Sequence, residues 1–250
     1  MPTAPYITYL QEVTSTNTYM AAHAADMTHG SVVAAHSQIA GRGQRGNTWE
    51  SQPGMNVTMS MMLHPKEVSA REQFLVSEAV AAGVALTLRR YLGDDAGVCV
   101  KWPNDIYVHD RKICGILIEN VLAGSSIARS IAGIGLNVNQ RQFLSDAPNP
   151  VSMFQIAGRE FPLDGILDSV RRDILELYER YIATADHEGL HRLYTSMLWR
   201  RTGMYPYLDT ATGNRFTATI HDVALTGHIT LRDTEGTLRR YAFKEVAAII

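Results

Sequence analysis

The sequence predicts an α+β fold in which a mixed, mainly antiparallel sheet is backed by helices and followed by a small β-barrel. Three features point there: a row of strand-like segments between Val98 and Val138 separated by tight turns, a nearly all-apolar helical run from Glu72 to Leu92, and a change to short alternating strands from Gly203 onward. In order along the chain, Thr18 to Ala25 reads as a helix and Ser31 to His36 as a short strand leading into Gly41-Arg42-Gly43-Gln44-Arg45-Gly46. Asn56 to Leu63 alternates Val57, Met59, Met61 and Leu63 with Asn56, Thr58 and Ser60, a period of two that predicts a strand with one better-buried face. Glu72 to Leu92 is apolar nearly all round, as a buried helix is, and Gly93-Asp94-Asp95 ends it. Val98 to Lys101, Asp105 to Val108, Ile113 to Val121 and Ile127 to Val138 then read as an antiparallel meander.

Ile166, Val170, Ile174, Leu177, Tyr178 and Tyr181 mark an amphipathic helix with Asp168, Arg172, Asp173, Glu176 and Arg180 assigned to solvent; His187 to Trp199 reads as another helix. Phe216 to Ile220, Ile229 to Leu231 and Leu238 to Phe243 are strands joined through Thr226-Gly227 and Asp233-Thr234-Glu235-Gly236. The expected division is residues 1–199 and 200–250.

Composition narrows the function classes. At 250 residues and 46% hydrophobic the chain holds ample core, and its net charge of −2 gives no basic nucleic-acid-binding face. No apolar run nears the roughly 18 residues of a membrane span, and residues 1–20 lack a signal-peptide layout, so a cytoplasmic protein without membrane attachment is expected. Cys99 and Cys114 sit among strand-like apolar residues and read as buried reduced thiols.

The glycine stretch spells G-x-G-x-x-G, yet Asn47 to Gly54 is turn-rich and about 20 residues on stand Pro65 and Lys66, with no acid at that distance until Glu67, which removes the dinucleotide fingerprint. It reads instead as a loop wrapping a phosphate with its arginines and backbone N–H groups. Four more motifs follow in order: Ser15-Thr16-Asn17 before the loop, and Lys101-Trp102-Pro103-Asn104-Asp105, Lys112 to Glu119 (K-I-C-G-I-L-I-E) and Gly133 to Asn139 (G-I-G-L-N-V-N) after it. Together these five motifs resemble biotin protein ligases.

That resemblance implies a catalytic domain similar to class II aminoacyl-tRNA synthetases, followed by an SH3-like β-domain. It implies an enzyme that makes biotinyl-5′-AMP from biotin and ATP with Mg²⁺, then transfers the biotinyl group to one lysine of a biotin carboxyl carrier protein. By resemblance, Ser15, Thr16, Asn17 and Gln38 meet the ureido ring, with Arg42, Gly43, Gln44, Lys112, Gly115 and Gly133 completing the biotin site. Arg42, Arg45, Trp49, Lys112 and Asn137 meet the adenylate, and Lys112, Arg42 and Asp105 carry the chemistry, Asp105 by receiving the carrier lysine's ammonium. Gln44 departs from the arginine of much of the family, which puts retention of the adenylate in doubt. No metal ligands are implied.

Taken singly, most of these residues have plainer readings: Ser15-Thr16-Asn17 a helix N-cap, Trp49 core, Lys112 a solvated turn residue, and Gly115 and Gly133 sites of strand bulges. Two rival activities are a lipoate ligase of the same fold and a zinc peptidase from His187-Glu188-Gly189-Leu190-His191, an H-E-x-x-H match read here as a surface helix. About 14 residues precede Ser15, too few for a helix-turn-helix module, so the monofunctional type that does not bind DNA is expected. An exposed sheet edge leaves room for a homodimer.

Overall fold

The computed structural model describes residues 6–43 and 48–250. Gln44, Arg45 and Gly46 of the glycine loop lie outside the described residues. Seven strands form one sheet in the order β1-β2-β3-β7-β6-β5-β4. They are β1 (Ile7–Val13), β2 (Val32–Gln38), β3 (Val57–Leu63), β4 (Val98–Lys101), β5 (Asp105–Val108), β6 (Arg111–Ala123) and β7 (Ser126–Leu136). Only β1 and β2 run parallel, joined through helix α1 (Thr16–Ala22); the other pairings are antiparallel, as the meander predicted.

One face of this sheet carries the main core. Helix α2 (Phe74–Leu92) is buried along most of its length and is flanked by α4 (Leu163–Leu177) and α5 (His187–Ser196). Gly83 lets α2 and α4 meet, because a β-carbon there would lie 2.7 Å from the Ile174 side chain. Asp173, expected at the solvent, is instead 3% exposed and accepts hydrogen bonds from Thr87 Oγ1 (2.5 Å) and Arg90 (2.9 Å), since its edge of α4 packs against α2. A buried carboxylate is tolerable only when so partnered.

The alternation in β3 has a different outcome from the one expected, because all seven of its residues are buried. Val57, Met59, Met61 and Leu63 join the core under α2, whereas Met62 packs with Met20 of α1 on the opposite side. Thr58 and Ser60 share that second side by strand alternation. Thr58 therefore lines a cleft and Ser60 is covered by Thr16 and Asn17 of α1, so neither faces solvent.

Residues 205–248 form a second sheet, in the order β11-β10-β9-β8-β12, from β8 (Tyr205–Asp209), β9 (Arg215–Val223), β10 (Ile229–Asp233), β11 (Leu238–Tyr241) and β12 (Val246–Ala248). β1, β8, β12 and the short helix α3 (Met153–Ala157) have no counterpart among the sequence expectations. The small sheet docks through its predicted Thr226-Gly227 turn: Trp102 Nε1 donates to the Gly227 carbonyl at 3.1 Å, and Phe74 lies against Gly227. Among the described residues, no helix is long and apolar enough to cross a membrane.

Candidate active site

A cleft of about 1120 Å³ opens on the sheet face opposite the α2 layer, and the small sheet supplies one wall of it through Tyr207, Phe243 and Lys244. Its floor follows from strand register. Thr58, Gly135 and Gly115 lie side by side across β3, β7 and β6; Ser60, Gly133 and Leu117 form the next row, and Met62, Ile131 and Glu119 the third. The glycines leave room for two site side chains. A β-carbon on Gly133 would strike the Asn17 carboxamide, and one on Gly115 or Gly135 would strike the Trp49 indole. These positions are thus landing places for Asn17 and Trp49, not strand bulges.

At one end of the cleft, Ser15, Thr16, Asn17 and Gln38 converge. Ser15 occupies the N-cap position of α1, but its side chain makes no capping bond. Thr16 donates from its backbone N (2.8 Å) and Oγ1 (3.1 Å) to Gln38 Oε1. Ser60, wholly buried, reaches both Thr16 Oγ1 (2.7 Å) and Asn17 Oδ1 (2.5 Å). A hydroxyl has a single hydrogen, so Ser60 donates to one and accepts from or merely touches the other. Asn17 Nδ2 in turn donates to Glu119 Oε2 at 2.7 Å. The result is a neutral array of donors and acceptors fixed by mutual bonds.

Beside this array Arg42 pairs with the same Glu119 oxygen at 3.2 Å, and its flanking backbone bridges to Thr48; Gly43 also lines the cleft. At the other end stands a second ion pair. Lys112 Nζ lies 2.8 Å from Asp105 Oδ2 and 5.8 Å from the centre of the Trp49 ring. Lys112 is held from both sides, since its backbone pairs with the 149–151 segment: Lys112 N donates to Asn149 O (2.8 Å) and Val151 N to Lys112 O (2.9 Å). Asn137 Nδ2 donates to Val151 O at 3.1 Å, while its buried Oδ1 has no partner. A buried acceptor left unpaired costs about 1–3 kcal/mol, which a ligand N–H near Trp49 would recover.

The structure brings these residues to one cleft, and sequence reasoning passed over two that bond to them, Ser60 and Glu119. Ser60 carried a signal, the polar phase of the β3 alternation; Glu119 closed a quoted motif without being given a role. Asp105, expected to face an incoming ammonium, already holds the Lys112 ammonium. The H-E-x-x-H segment is elsewhere: His191 Nδ1 sits 2.7 Å from the buried Glu78 carboxylate and His187 Nδ1 3.7 Å from Glu72, while Glu188 turns outward to Arg192. Its histidines are therefore packing partners of the α2 layer, not residues of an open surface, and each already faces a carboxylate. Burial pushes both thiols upward, Cys99 to about 12 and Cys114 further, which makes neither a nucleophile.

Residues 9–137 match the Biotin/lipoate A/B protein ligase family, and these residues include the glycine loop and all the cleft-floor strands. The chain belongs to that family. Among relatives, the bifunctional ligase/repressor BirA of Salmonella typhimurium is 33% identical over 144 residues, 57% of this chain and 44% of its own length. The biotin–[acetyl-CoA-carboxylase] ligase of Paracoccus denitrificans is 30% identical over 132 residues, 52% of this chain and 53% of its own. The chain thus spans about half the length of the curated relatives it matches. In fold it resembles the biotin protein ligase of Aquifex aeolicus in complex with biotin and ATP, with a TM-score of 0.78 at 22% identity, covering 97% of this chain and 98% of that one.

Proposed function

We propose that the chain is an ATP-dependent biotin protein ligase: it condenses biotin with ATP to biotinyl-5′-AMP, releasing pyrophosphate, and passes the biotinyl group to a lysine of a biotin carboxyl carrier protein in the cytoplasm. The observation that carries this reading is one cleft that holds a hydrogen-bonded donor–acceptor array, with Arg42 at its edge, and farther along a lysine, Lys112, beside the Trp49 ring. A ureido ring is uncharged and offers two N–H donors and one carbonyl acceptor; the Thr16, Asn17, Gln38 and Ser60 array suits it. The dithiolane of lipoate has no such groups and could make no hydrogen bond with this array. The Aquifex protein was seen with biotin and ATP, and the ligase of Leishmania major with biotinyl-5-AMP.

The chemistry needs two anions to approach each other. A carboxylate oxygen attacks the α-phosphorus and pyrophosphate departs, so fixed cations must neutralise charge at the point of contact. Lys112 is placed between carboxylate and phosphate, Arg42 beside them, with Trp49 as the stacking face for adenine and the unpaired Asn137 Oδ1 as acceptor for its amino group. Gly115 and Gly133 admit biotin close to the backbone, and Gln44 and Arg45 are assigned to biotin and to the adenylate by the family resemblance alone. Asp105 would then exchange Lys112 for the carrier lysine once Lys112 has turned to the adenylate. Among the described residues, no three His, Cys, Asp or Glu side chains are grouped to hold a metal ion. Mg²⁺ is accordingly assigned to the ATP chelate, where it neutralises phosphate charge. Residues 1–199 are proposed as the catalytic part and 200–250 as the β-domain that walls it.

Incubation with ATP, a carrier domain and either biotin or lipoate, read by mass spectrometry, tests the reading. A mass increase from biotin alone is expected; labelling from lipoate alone would transfer the chain to the other branch of its family.

A further inference from the structure

Three lysines, Lys101, Lys112 and Lys244, line the same cleft, and the surroundings of the first two differ. Lys112 is engaged by a carboxylate, Asp105, at 2.8 Å. Lys101, from the end of β4, has no carboxylate oxygen within 4.0 Å among the described residues. Its Nζ donates to the Tyr107 hydroxyl at 3.2 Å and lies 5.0 Å from the Tyr107 ring centre and 5.9 Å from that of Trp199. The charged and titratable groups around it are Asp105 and Tyr107 of β5 and Arg200, which follows α5. Burial holds its ammonium below the ordinary lysine range, Arg200 acts in the same direction, and Asp105 opposes them.

Transfer to a carrier needs a base, because a lysine side chain arrives protonated and only its free amine attacks. Asp105 is poorly suited, since an ordinary carboxylate is roughly 10⁶-fold less basic than an amine. A buried lysine amine of similar basicity to the acceptor is better matched.

We propose that Lys101 is the general base of the transfer half-reaction, taking a proton from the acceptor lysine while Asp105 orients it. This rests on the ligase reading above. In the step, the Lys101 amine lone pair accepts one proton from the acceptor ammonium and becomes an ammonium itself. The freed acceptor nitrogen forms a C–N bond at the biotinyl carbonyl carbon. The bond from that carbon to the phosphate oxygen breaks, and its electron pair leaves on AMP. The second N–H proton passes from the new amide nitrogen to the departing phosphate. No redox partner is involved.

The test uses the full chain, preformed biotinyl-AMP and two acceptors in single turnover: a carrier domain, whose lysine needs deprotonation, and hydroxylamine, whose nitrogen is already free at neutral pH. Lys101→Met should slow transfer to the carrier by about 10²-fold or more and transfer to hydroxylamine far less. The deficit should shrink as pH rises toward the acceptor's own range. Lys101→Arg, which keeps the charge and cannot give up its proton, should fail alike. Equal slowing with both acceptors, or rescue by arginine, overturns the proposal in favour of a structural cation. Adenylate formation from biotin and ATP is measured in parallel and should fall far less than transfer. A wild-type chain that makes no biotinyl-AMP sinks the ligase reading and the base with it; one that makes it while Lys101→Met transfers normally sinks Lys101 alone.

Discussion

The hydrogen-bonded array and the ion pairs of the cleft hold their polar groups by opposite means. Around the Thr16–Asn17 array, Thr16 and Asn17 are 3% exposed and Ser60 wholly buried, and they bond to one another, to Gln38 and to Glu119. The two ion pairs are more open, Arg42–Glu119 being 47% and 40% exposed and Lys112–Asp105 31% and 27%. Solvated ion pairs of this kind contribute only about 0–1 kcal/mol, so their cations can exchange a carboxylate for a phosphate at little expense. The array is built to keep its shape, and the ion pairs to change partners.

Lys112→Ala should break the comparison most sharply. Removing the cation that faces both anions should lower the rate of adenylate formation by about 10²–10³-fold, as for loss of a preorganised donor. Biotin binding without ATP should change much less. Pyrophosphate release and calorimetry measure the two; an equal loss in both would mean that Lys112 serves the shape of the pocket.

Ser60→Ala is the matching change at the neutral end. It leaves Asn17 Oδ1 and Thr16 Oγ1 short of a partner, which should weaken biotin by about 1–3 kcal/mol. The loss should fall on biotin affinity and KM, with kcat nearly kept, and Ser60→Thr should recover part of it. A loss confined to kcat would detach Ser60 from the ureido pocket.

Gly135→Ala sits between the ends. Its methyl group would displace the Trp49 indole, costing about 1–3 kcal/mol of overpacking strain, part of it relieved by moving the ring. The KM for ATP should rise while biotin affinity holds, and unaltered ATP kinetics would remove Trp49 from the adenine site.

How much of this was legible beforehand follows the same divide. Arg42, Lys112 and Trp49 were singled out through the resemblance carried by five ordered motifs; taken singly, Lys112 read as a solvated turn residue and Trp49 as core. Ser60, Gly133 and Leu117 become one row only through the pairing of three strands distant in sequence, which periodicity in a single strand does not reveal. The polar phase of β3 was visible, but polarity on a strand ordinarily signals solvent. Asp173 misled for the same reason, being a charge at a helical position whose neighbour, α2, no pattern names. β1 was obscured because none of its residues is fully buried and it lies at an edge, where one side pairs and the other does not. The participation of Tyr207 and Phe243 in the cleft depends on how two sheets dock, here through a Trp102 bond to Gly227.

The smallest expected effect is at Glu119, which belongs to both the array and an ion pair. Its carboxylate takes a hydrogen bond from Asn17 and an ion pair from Arg42. Glu119→Gln keeps an acceptor oxygen for Asn17 but removes the charge that holds Arg42, so it separates the two duties. Because the pair is exposed, folding stability should shift by less than about 1 kcal/mol, and less again at high salt. Biotin affinity should hold if the neutral end depends on hydrogen bonding alone. Affinity for biotinyl-AMP should rise slightly, since Arg42 no longer has to leave a carboxylate to reach the phosphate. A large fall in biotin affinity instead would show that the charge of Glu119, not its shape, aligns Asn17, and the division between a fixed neutral end and an exchangeable charged one would no longer describe this cleft.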